Sequence, residues 1–415
     1  MTKNLILITS KYPYGDTEAF LENEVSYLSE NFEHIYLVPS KFTQGPPTRL
    51  LPSNFTIITS IIEAKDVSTL QRKLKKCFYC FLSPFFWKEL PKALFSYSLK
   101  ALDSLLTYSW DAILTHNTLQ ELSTRLELPD TEVIIYTYWL NGTTLGAIHS
   151  KLRYPIISRT HGSDLYEELH PANYIPFRFE TLNKISRLFP ISSEGKDYLY
   201  TLYPKFSENV EVSRLGIKLP IDPSITIANK NKLKIVSCSS VDVNKRVGLI
   251  ADVIVKVSEK NPDIFIEWNH FGDGPLLEDI KSKLRYIPEN LKTNFHGFIL
   301  NSDLMNWYSS NQPDLFVNLS LSEGIPVSIM EAYGYGIPAI ATNVGGTHEI
   351  VNNSNGWLID SSDSSSEICD YIEEAIREPE KLLEKSRRAR KTCEKYYDSS
   401  KNYPIFISKI KSLTL

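Results

Sequence analysis

Two glutamates eight residues apart stand at the centre of the stretch DLFVNLSLSEGIPVSIMEAYGYGIPAIATNVGGTHEIV, residues 314–351. Glu323 lies in a Gly/Pro loop that follows an apolar strand-like run, and Glu331 lies about two helical turns further on. This spacing predicts that both carboxylates face one cleft. Because carboxylates only accept hydrogen bonds, they suit the hydroxyl groups of a polyol such as a sugar.

The loop between the two glutamates can also bind an anion. Pro326 suits the first turn of the helix that begins here, and it donates no hydrogen bond. Its neighbours Gly324, Ile325, Val327 and Ser328 keep backbone N–H groups that can bind a phosphate or sugar hydroxyls.

The surrounding elements predict how these residues are positioned. Short β-rich runs alternate with helical patterns in two series, which is typical of parallel sheets. The first series is 4–9, 34–39, 111–116, 132–138, 154–160 and 187–192, and the second is 233–239, 263–272, 292–298, 314–320, 337–342 and 356–360. A stretch rich in Pro, Asn and Lys at 215–232 suits a linker. We therefore predict domains at 1–220 and 221–396, with a tail, 397–415, that packs back on the first domain.

Several motifs together resemble glycosyltransferase family 4, the retaining enzymes of GT-B architecture. The resemblance rests on Glu-x7-Glu in SEGIPVSIMEA, then GIPAIAT, KRVGLI, HFGDGPLLEDI and NVGGTHEIV, and more loosely on SRTHGSDLY and FPISSEGKDYL. It implies an α/β fold with two Rossmann-like parallel-sheet domains that face each other across a cleft. It also implies that Glu323 holds hydroxyls of the donor sugar and Glu331 holds the nucleotide ribose.

Breaking a nucleotide-sugar bond leaves a diphosphate whose growing negative charge needs cations or amides. Lys245 follows the strand KIVSCSS and resembles the phosphate-binding lysine of the family, with Arg246 beside it. Many relatives carry an arginine where this chain has Ser240, so one phosphate contact is missing. No Asp-x-Asp pair is present, and we expect no metal and no cofactor beyond the nucleotide-sugar co-substrate.

Four further residues are candidates. His161, in SRTHGSDLY, follows a strand and resembles the cleft histidine that contacts the donor sugar in the family. Gly15, in the turn after the first strand, allows a close backbone approach to a ligand. An ordinary turn before a helix capped by Asp16 or Thr17 is the alternative there. Gly297 and Phe298 lie where relatives bracket the base.

Composition limits the partners. The 415 residues carry a net charge of −4 with a pI near 6.1, which argues against nucleic acid. The five cysteines form no disulfide framework, and Cys77 and Cys80 make a lone CxxC without further zinc ligands. The N-terminal apolar run, LILIT, is too short for a signal peptide. These features predict a cytoplasmic protein.

The segment 71–100 leaves two alternatives open. It holds seven basic residues against one acidic residue, Glu89, and these are interleaved with Phe, Tyr and Trp. Such a pattern is typical of helices at a membrane interface, where an anionic surface would present a lipid-linked acceptor. A core helical hairpin with a basic rim fits equally well.

The predicted function is transfer of a sugar from a UDP- or GDP-type donor to a saccharide or lipid-linked acceptor, in cell-surface polysaccharide synthesis. Retention comes from the resemblance. No carboxylate nucleophile is evident, so departure and attack on one face of the sugar, guided by the leaving phosphate, is favoured. A non-catalytic nucleotide-sugar-binding subunit that supports a partner transferase is the rival interpretation.

Overall fold

The chain forms two compact units. The computed structural model describes residues 3–15, 17–41, 43, 45–95, 98–127, 129 and 132–414. Unit 1 comprises Met1–Ser213 and Tyr403–Leu415, and unit 2 comprises Arg214–Asn402. Among the described residues, no helix is long and apolar enough to cross a membrane.

Unit 1 is built on a six-stranded parallel sheet with the order β3-β2-β1-β4-β5-β6. Its strands are β1 Asn4–Thr9, β2 His34–Pro39, β3 Phe55–Ile57, β4 Val133–Thr137, β5 Ile156–Thr160 and β6 Arg187–Pro190. Its helices are α1 Glu22–Asn31, α2 Ser60–Lys65, α3 Thr69–Phe81, α4 Pro84–Phe95, α5 Leu99–Leu126, α6 Gly142–His149, α7 Arg178–Lys184 and α8 Ser193–Leu202.

Unit 2 repeats the same design with the strand order β12-β11-β10-β7-β8-β9. Its strands are β7 Lys232–Cys238, β8 Phe265–Phe271, β9 Leu291–Phe295, β10 Leu315–Asn318, β11 Ala339–Thr342 and β12 Gly356–Ile359. The helices are α9 Val247–Lys260, α10 Leu277–Lys283, α11 Asn301–Asn311, α12 Val327–Gly334, α13 Ser365–Arg377, α14 Pro379–Tyr396 and α15 Ser399–Lys411, which runs on into unit 1.

The strands form because their runs of Ile, Leu and Val can be buried on both faces. Along β1, Leu5 and Leu7 join one apolar cluster while Ile6 and Ile8 join another on the opposite face. This alternation is the period-two pattern of a strand covered on both sides, as parallel sheets require. The predicted fold class, α/β with two parallel sheets, is confirmed.

One predicted strand is wrong. The run DAILTH, 111–116, lies inside the long helix α5, and the third strand of the sheet is instead the short β3. Within α5 the residues Ala101, Leu105, Ala112, Leu119 and Leu122 are buried at helical spacing. A six-residue apolar window cannot separate helix from strand, whereas the period over the whole segment does.

The division between the units lies between Ser213 and Arg214, whereas composition placed it near residue 220. Two contacts explain the difference. The Ser213 carbonyl accepts a hydrogen bond of 2.7 Å from Arg159 of unit 1. Arg214 Nη2 pairs with Glu349 Oε2 of unit 2 at 2.6 Å.

The chain end packs on unit 1. In α15, the ring centroid of Phe406 lies 5.4 Å from that of Tyr136 and 5.1 Å from that of Phe189. Ser399, Ser400 and Pro404 all lie within α15. Pro404 is only the sixth residue of this helix, so it removes a single intrahelical hydrogen bond.

A buried ion pair ties the chain end to the sheet of unit 1. Arg159 Nε lies 3.2 Å from Glu24 Oε2, and both side chains are fully buried. Arg159 also donates to the Tyr136 hydroxyl at 2.7 Å, and its guanidinium lies 4.1 Å from the Phe406 ring centroid. Burial raises the pKa of Glu24, although the Arg159 charge opposes this shift.

Removing one partner of this pair should destabilise unit 1 strongly. Glu24→Ala leaves the Arg159 charge buried without its counter-ion, and such changes cost about 3–5 kcal/mol. Urea unfolding followed by tryptophan fluorescence measures the loss. Glu30→Ala, at an exposed position of the same helix, is the control and should stay within about 0.5 kcal/mol of the wild type. Equal effects of the two substitutions would contradict this account of the core.

Candidate active site

The candidate site of unit 2 lies where the strand order of its sheet reverses. The first strand of the unit, β7, pairs with the fourth, β10, and the chain continues outward on both sides of them. Ligands of open α/β sheets bind beyond the carboxyl ends of the strands at such a switch point. Lys245 lies in the loop after β7, and Glu323 lies in the loop after β10.

Lys245 and Glu323 form an ion pair across this switch point. Lys245 Nζ lies 2.6 Å from Glu323 Oε1, and the Asn318 amide donates to the same oxygen at 3.3 Å. The Lys245 backbone is anchored by an N–H bond of 3.0 Å to Asp242 Oδ1. Both charged side chains are mostly buried, so the protein holds a preformed pair of opposite charges at the strand ends.

Two glycines fix the backbone next to Glu323. The Gly346 N–H donates to the Gly324 carbonyl at 2.7 Å. Gly345 has a φ of +50°, and a Cβ at this position would lie 1.9 Å from the Glu323 carbonyl oxygen. A side chain would therefore clash with the backbone of the loop, and the positive φ disfavours one as well. The loop after β11 thus holds the loop after β10 in place.

Helix α12 presents its amino end beside this pair. Pro326 immediately precedes α12 and is its N-cap, one residue before the first turn in which we expected it. Among the hydrogen bonds of the described residues, none uses the N–H groups of Gly324, Ile325, Val327 or Ser328 as donors. The partial positive charge of the helix terminus and these amides favour an anion at this position.

Glu331 lies on the buried side of α12. Its Oε1 accepts a hydrogen bond of 2.6 Å from the side-chain amide of Asn301, the first residue of α11. Asn301 was not among the predicted site residues, because nothing in the sequence links positions thirty residues apart. The structure makes it the residue that orients the Glu331 carboxylate.

Arg246 and Ser240 both make contacts within unit 2 that the sequence did not indicate. Arg246 Nη1 donates to the Ser361 carbonyl at 3.0 Å, and Nε donates to the Leu319 carbonyl. The guanidinium therefore ties together two strand-end loops of unit 2. A direct contact between Arg246 and a donor stays a prediction. Ser240 donates to Asp242 Oδ2 at 2.7 Å and so supports the loop that carries Lys245.

The predicted base-binding residues lie at the ends of β8 and β9. Gly297 has a φ of +66° and accepts a hydrogen bond of 2.8 Å from Gly272 N–H, which joins the two strand ends. The Phe298 side chain is about half exposed. Beside them the His296 ring stacks on Phe271 with centroids 4.3 Å apart, a flat surface that the sequence did not reveal.

In unit 1, His161 lies in an aromatic enclosure after β5. Its ring centroid is 4.4 Å from that of Trp139 and 5.1 Å from that of Tyr138. The backbone N–H of His161 donates to Asp164 Oδ1 at 2.6 Å, and the ring Nδ1 of His161 lies 3.9 Å from Asp164 Oδ2. Burial raises the pKa of Asp164, but contacts with His161 and the amide of Leu140 outweigh it and lower that pKa. Neither ring nitrogen of His161 has a hydrogen-bond partner among the described residues.

Glu18 organises the first loop of unit 1, although no sequence pattern indicates it. Its carboxylate accepts hydrogen bonds of 2.7 to 2.8 Å from three consecutive backbone N–H groups, those of residues 10–12. It also accepts one of 2.6 Å from Trp139 Nε1, which follows β4. Gly15 has a φ of +63°, a backbone conformation that favours glycine, and Asp16 lies outside the described residues. Strands β1 and β4 form the switch point of unit 1.

The cysteine pair lies away from these loops, on α3. Cys77 is exposed, whereas Cys80 is buried and its Sγ lies 3.3 Å from the Leu106 carbonyl oxygen. In the part of the chain that the structure describes, no group of three or more His, Cys, Asp or Glu side chains is arranged to hold a metal ion.

Comparison with known proteins places these loops in a family context. Residues 232–378, all within unit 2, match the family model of glycosyl transferases group 1. The O-antigen biosynthesis glycosyltransferase WbnH of Escherichia coli is 30% identical over 199 residues, which are 43% of this chain and 54% of WbnH. Protein CapJ of Staphylococcus aureus is 30% identical over 158 residues, 38% of this chain and 39% of CapJ. The chain thus spans about half the length of these relatives or less.

Similarity to solved structures extends over both units. HepE of Anabaena, solved in complex with UDP and glucose, superposes with a TM-score of 0.63 at 14% identity over 98% of this chain and 99% of HepE. At this identity the likeness shows the fold alone. The matches confirm the predicted family resemblance and the GT-B fold.

The packing of Gly345 predicts a measurable effect on the Glu323 loop. Gly345→Ala should force the loop at 321–328 away from its position, so its amides should exchange hydrogen faster than in the wild type. Hydrogen exchange followed by mass spectrometry measures this. Gly45→Ala is the matched control, since Gly45 also has a positive φ but meets nothing within 4 Å. Unchanged protection at 321–328 in Gly345→Ala would show that Gly345 does not hold the loop.

Proposed function

We propose that this chain, whose residues 232–378 form a group 1 glycosyl transferase domain within a GT-B fold, is a retaining glycosyltransferase of bacterial surface-polysaccharide synthesis. It would move a sugar from a nucleoside-diphosphate donor to a saccharide or lipid-linked acceptor. The observation that carries the proposal is the Lys245–Glu323 ion pair at the switch point of unit 2, with Glu331 on the adjoining helix. HepE, which was solved with bound UDP, supports a UDP-type donor.

Donor binding would break this ion pair and give each of its two side chains a new partner on the donor. The diphosphate brings negative charge to Lys245 and to the free N–H groups at the start of α12. Sugar hydroxyls donate to the Glu323 carboxylate, which is then released from Lys245. Each new charge-assisted hydrogen bond contributes about 1.5–3 kcal/mol, enough to offset the loss of the original pair. Glu331, oriented by Asn301, would accept the ribose hydroxyls.

The chemical step needs no covalent intermediate on the protein. The bond between the anomeric carbon and the phosphate oxygen breaks, and its electron pair leaves with the diphosphate. Lys245 and the loop amides stabilise the charge that develops there. The acceptor hydroxyl attacks the same face of the sugar and passes its proton to the departing phosphate, so the anomeric configuration is retained. The contact of His161 with the donor sugar stays a prediction.

Substitution of the two glutamates should affect UDP binding and turnover differently. Glu331→Gln removes the charge proposed to hold the ribose and should raise the Kd for UDP about tenfold, as loss of one charge-assisted hydrogen bond does. Glu323→Gln frees Lys245, so UDP should bind at least as tightly as in the wild type. Its turnover of UDP-sugar should nevertheless fall by about 100-fold, because contacts to the sugar tighten in the transition state.

Calorimetry with UDP and donor hydrolysis without acceptor measure the two effects. Glu380→Gln, exposed on α14, is the control and should behave as the wild type. Weaker UDP binding by Glu323→Gln, to the same extent as by Glu331→Gln, would contradict the assigned roles. UDP binding with no donor hydrolysis in the wild type would favour a non-catalytic binding subunit.

Lys245 should be needed for the departure of the diphosphate. Lys245→Ala should lower turnover by about 100-fold or more, the usual cost of losing a preorganised charge at a developing anion. We expect EDTA to leave wild-type turnover unchanged. Lys230→Ala, in an exposed loop of the same unit, is the matched control. Loss of activity in EDTA with recovery on adding Mn²⁺ would show that a metal ion takes the part given to Lys245.

A further inference from the structure

Helix α3 is amphipathic, but its apolar face points to solvent and its polar face points to the protein. Its apolar stripe faces solvent: Leu70, Leu74, Phe78 and Phe81 recur at helical spacing, and each is between 61% and 68% exposed. Apolar side chains of this size are normally buried, because removing them from water is the main driving force of folding. A stripe of this length on the surface indicates an interaction site.

Polar contacts hold α3 against the protein instead. Lys76 Nζ lies 2.9 Å from Asp103 Oδ1 and 3.0 Å from Thr107 Oγ1, both on α5. Arg72 donates to the carbonyls of Lys65 and Val67 at 3.0 and 3.3 Å. The basic residues on the inner face are therefore committed to the fold, and this fixes the apolar stripe outward. The alternative of a core hairpin does not fit α3, although the buried Phe86 and Ala93 of α4 fit it.

The exposed stripe continues onto the next helix. Trp87 of α4 is 46% exposed, and its Nε1 donates to the Phe81 carbonyl at 2.7 Å. The rings of Phe81 and Trp87 meet edge to face with centroids 5.0 Å apart, and Leu82 between them is also exposed. We call the set Leu70, Leu74, Phe78, Phe81, Leu82 and Trp87 the α3 face.

Basic residues border the α3 face on both sides. With about 100° between successive residues of a helix, Lys73 and Lys75 fall on opposite edges of the stripe. Both are exposed, and neither forms an ion pair among the described residues. No acidic residue occurs between Thr69 and Lys88, although the chain as a whole has a net charge of −4. The residues of the apolar stripe and of its cationic edges thus come from a segment of the chain without acidic side chains.

We propose that the α3 face is a docking surface for an anionic lipid bilayer. The helix would lie in the plane of the interface, with the Leu and Phe side chains among the acyl chains and Lys73 and Lys75 at the lipid headgroups. Charge complementarity selects this partner: an apolar protein surface would match the stripe but would not require free cations on both edges. The inference is independent of the chemistry proposed for unit 2. Docking through the α3 face would bring the protein to the membrane that carries a lipid-linked acceptor.

Vesicle sedimentation of the full-length protein tests the proposal. Wild type should bind vesicles of phosphatidylglycerol and phosphatidylcholine in equal parts, should bind less as salt rises, and should not bind phosphatidylcholine alone. Two double variants, Lys73→Glu with Lys75→Glu and Leu74→Glu with Phe78→Glu, should each weaken binding at least tenfold. The control, Lys283→Glu with Tyr286→Glu, changes an exposed lysine and an exposed aromatic residue of unit 2 and should bind as wild type.

Two further readouts distinguish the possible failures. All these side chains are exposed, so thermal unfolding and donor hydrolysis in solution should match the wild type in every variant. If the wild type does not hydrolyse the donor, the proposed function is contradicted. The result on vesicle binding would still stand on its own. The docking proposal is overturned if the wild type ignores the anionic vesicles or if neither α3 variant weakens binding. It is also overturned if sedimentation velocity shows a dimer that Leu74→Glu with Phe78→Glu dissociates, since a second copy would then cover the face.

Discussion

The ion pair between Lys245 and Glu323 is the contact on which the candidate site depends. It joins the loops after β7 and β10, the two adjacent strands at which the strand order of the parallel sheet of unit 2 reverses. Because parallel strands end at the same edge, residues 78 positions apart meet there without any further device. Unit 1 has the same strand order and bridges its own switch point by the Glu18–Trp139 hydrogen bond. The two units thus share a design in which a polar contact spans the gap between the first and fourth strands.

Packing around the pair explains why its geometry is held before any ligand arrives. Gly345 lets the loop after β11 touch the Glu323 backbone, Arg246 ties the ends of β10 and β12, and Asn301 orients Glu331. Preorganised groups of this kind need not rearrange when charge develops on a ligand, which is the main way in which proteins stabilise such charge. Opposite charges that neutralise each other in the free protein also avoid the penalty of a single charge buried without a partner.

Much of this could be predicted from local sequence pattern. Eleven of the twelve predicted runs coincide with strands of the described residues, because apolar parallel strands differ plainly from the polar loops between them. The exception, 111–116, lies in a helix whose period shows only over a longer window. Motif spacing and resemblance predict Glu323, Glu331, Lys245 and His161 as site residues, and this role stays a prediction. They do not indicate Glu18 or Asn301. Their roles come from hydrogen bonds to residues far away in sequence, and single-sequence pattern carries no record of such contacts. The sequence likewise does not determine which face of α3 points to solvent, because this depends on the contacts of Arg72 and Lys76 with distant residues.

Donor binding should separate Lys245 from Glu323. A crystal structure of the chain with bound UDP-sugar would show where both side chains lie. We expect Lys245 Nζ at about 3 Å from a diphosphate oxygen and Glu323 within hydrogen-bond distance of sugar hydroxyls, with the pair broken. A bound donor that leaves the Lys245–Glu323 contact intact, with its diphosphate held elsewhere, would contradict it.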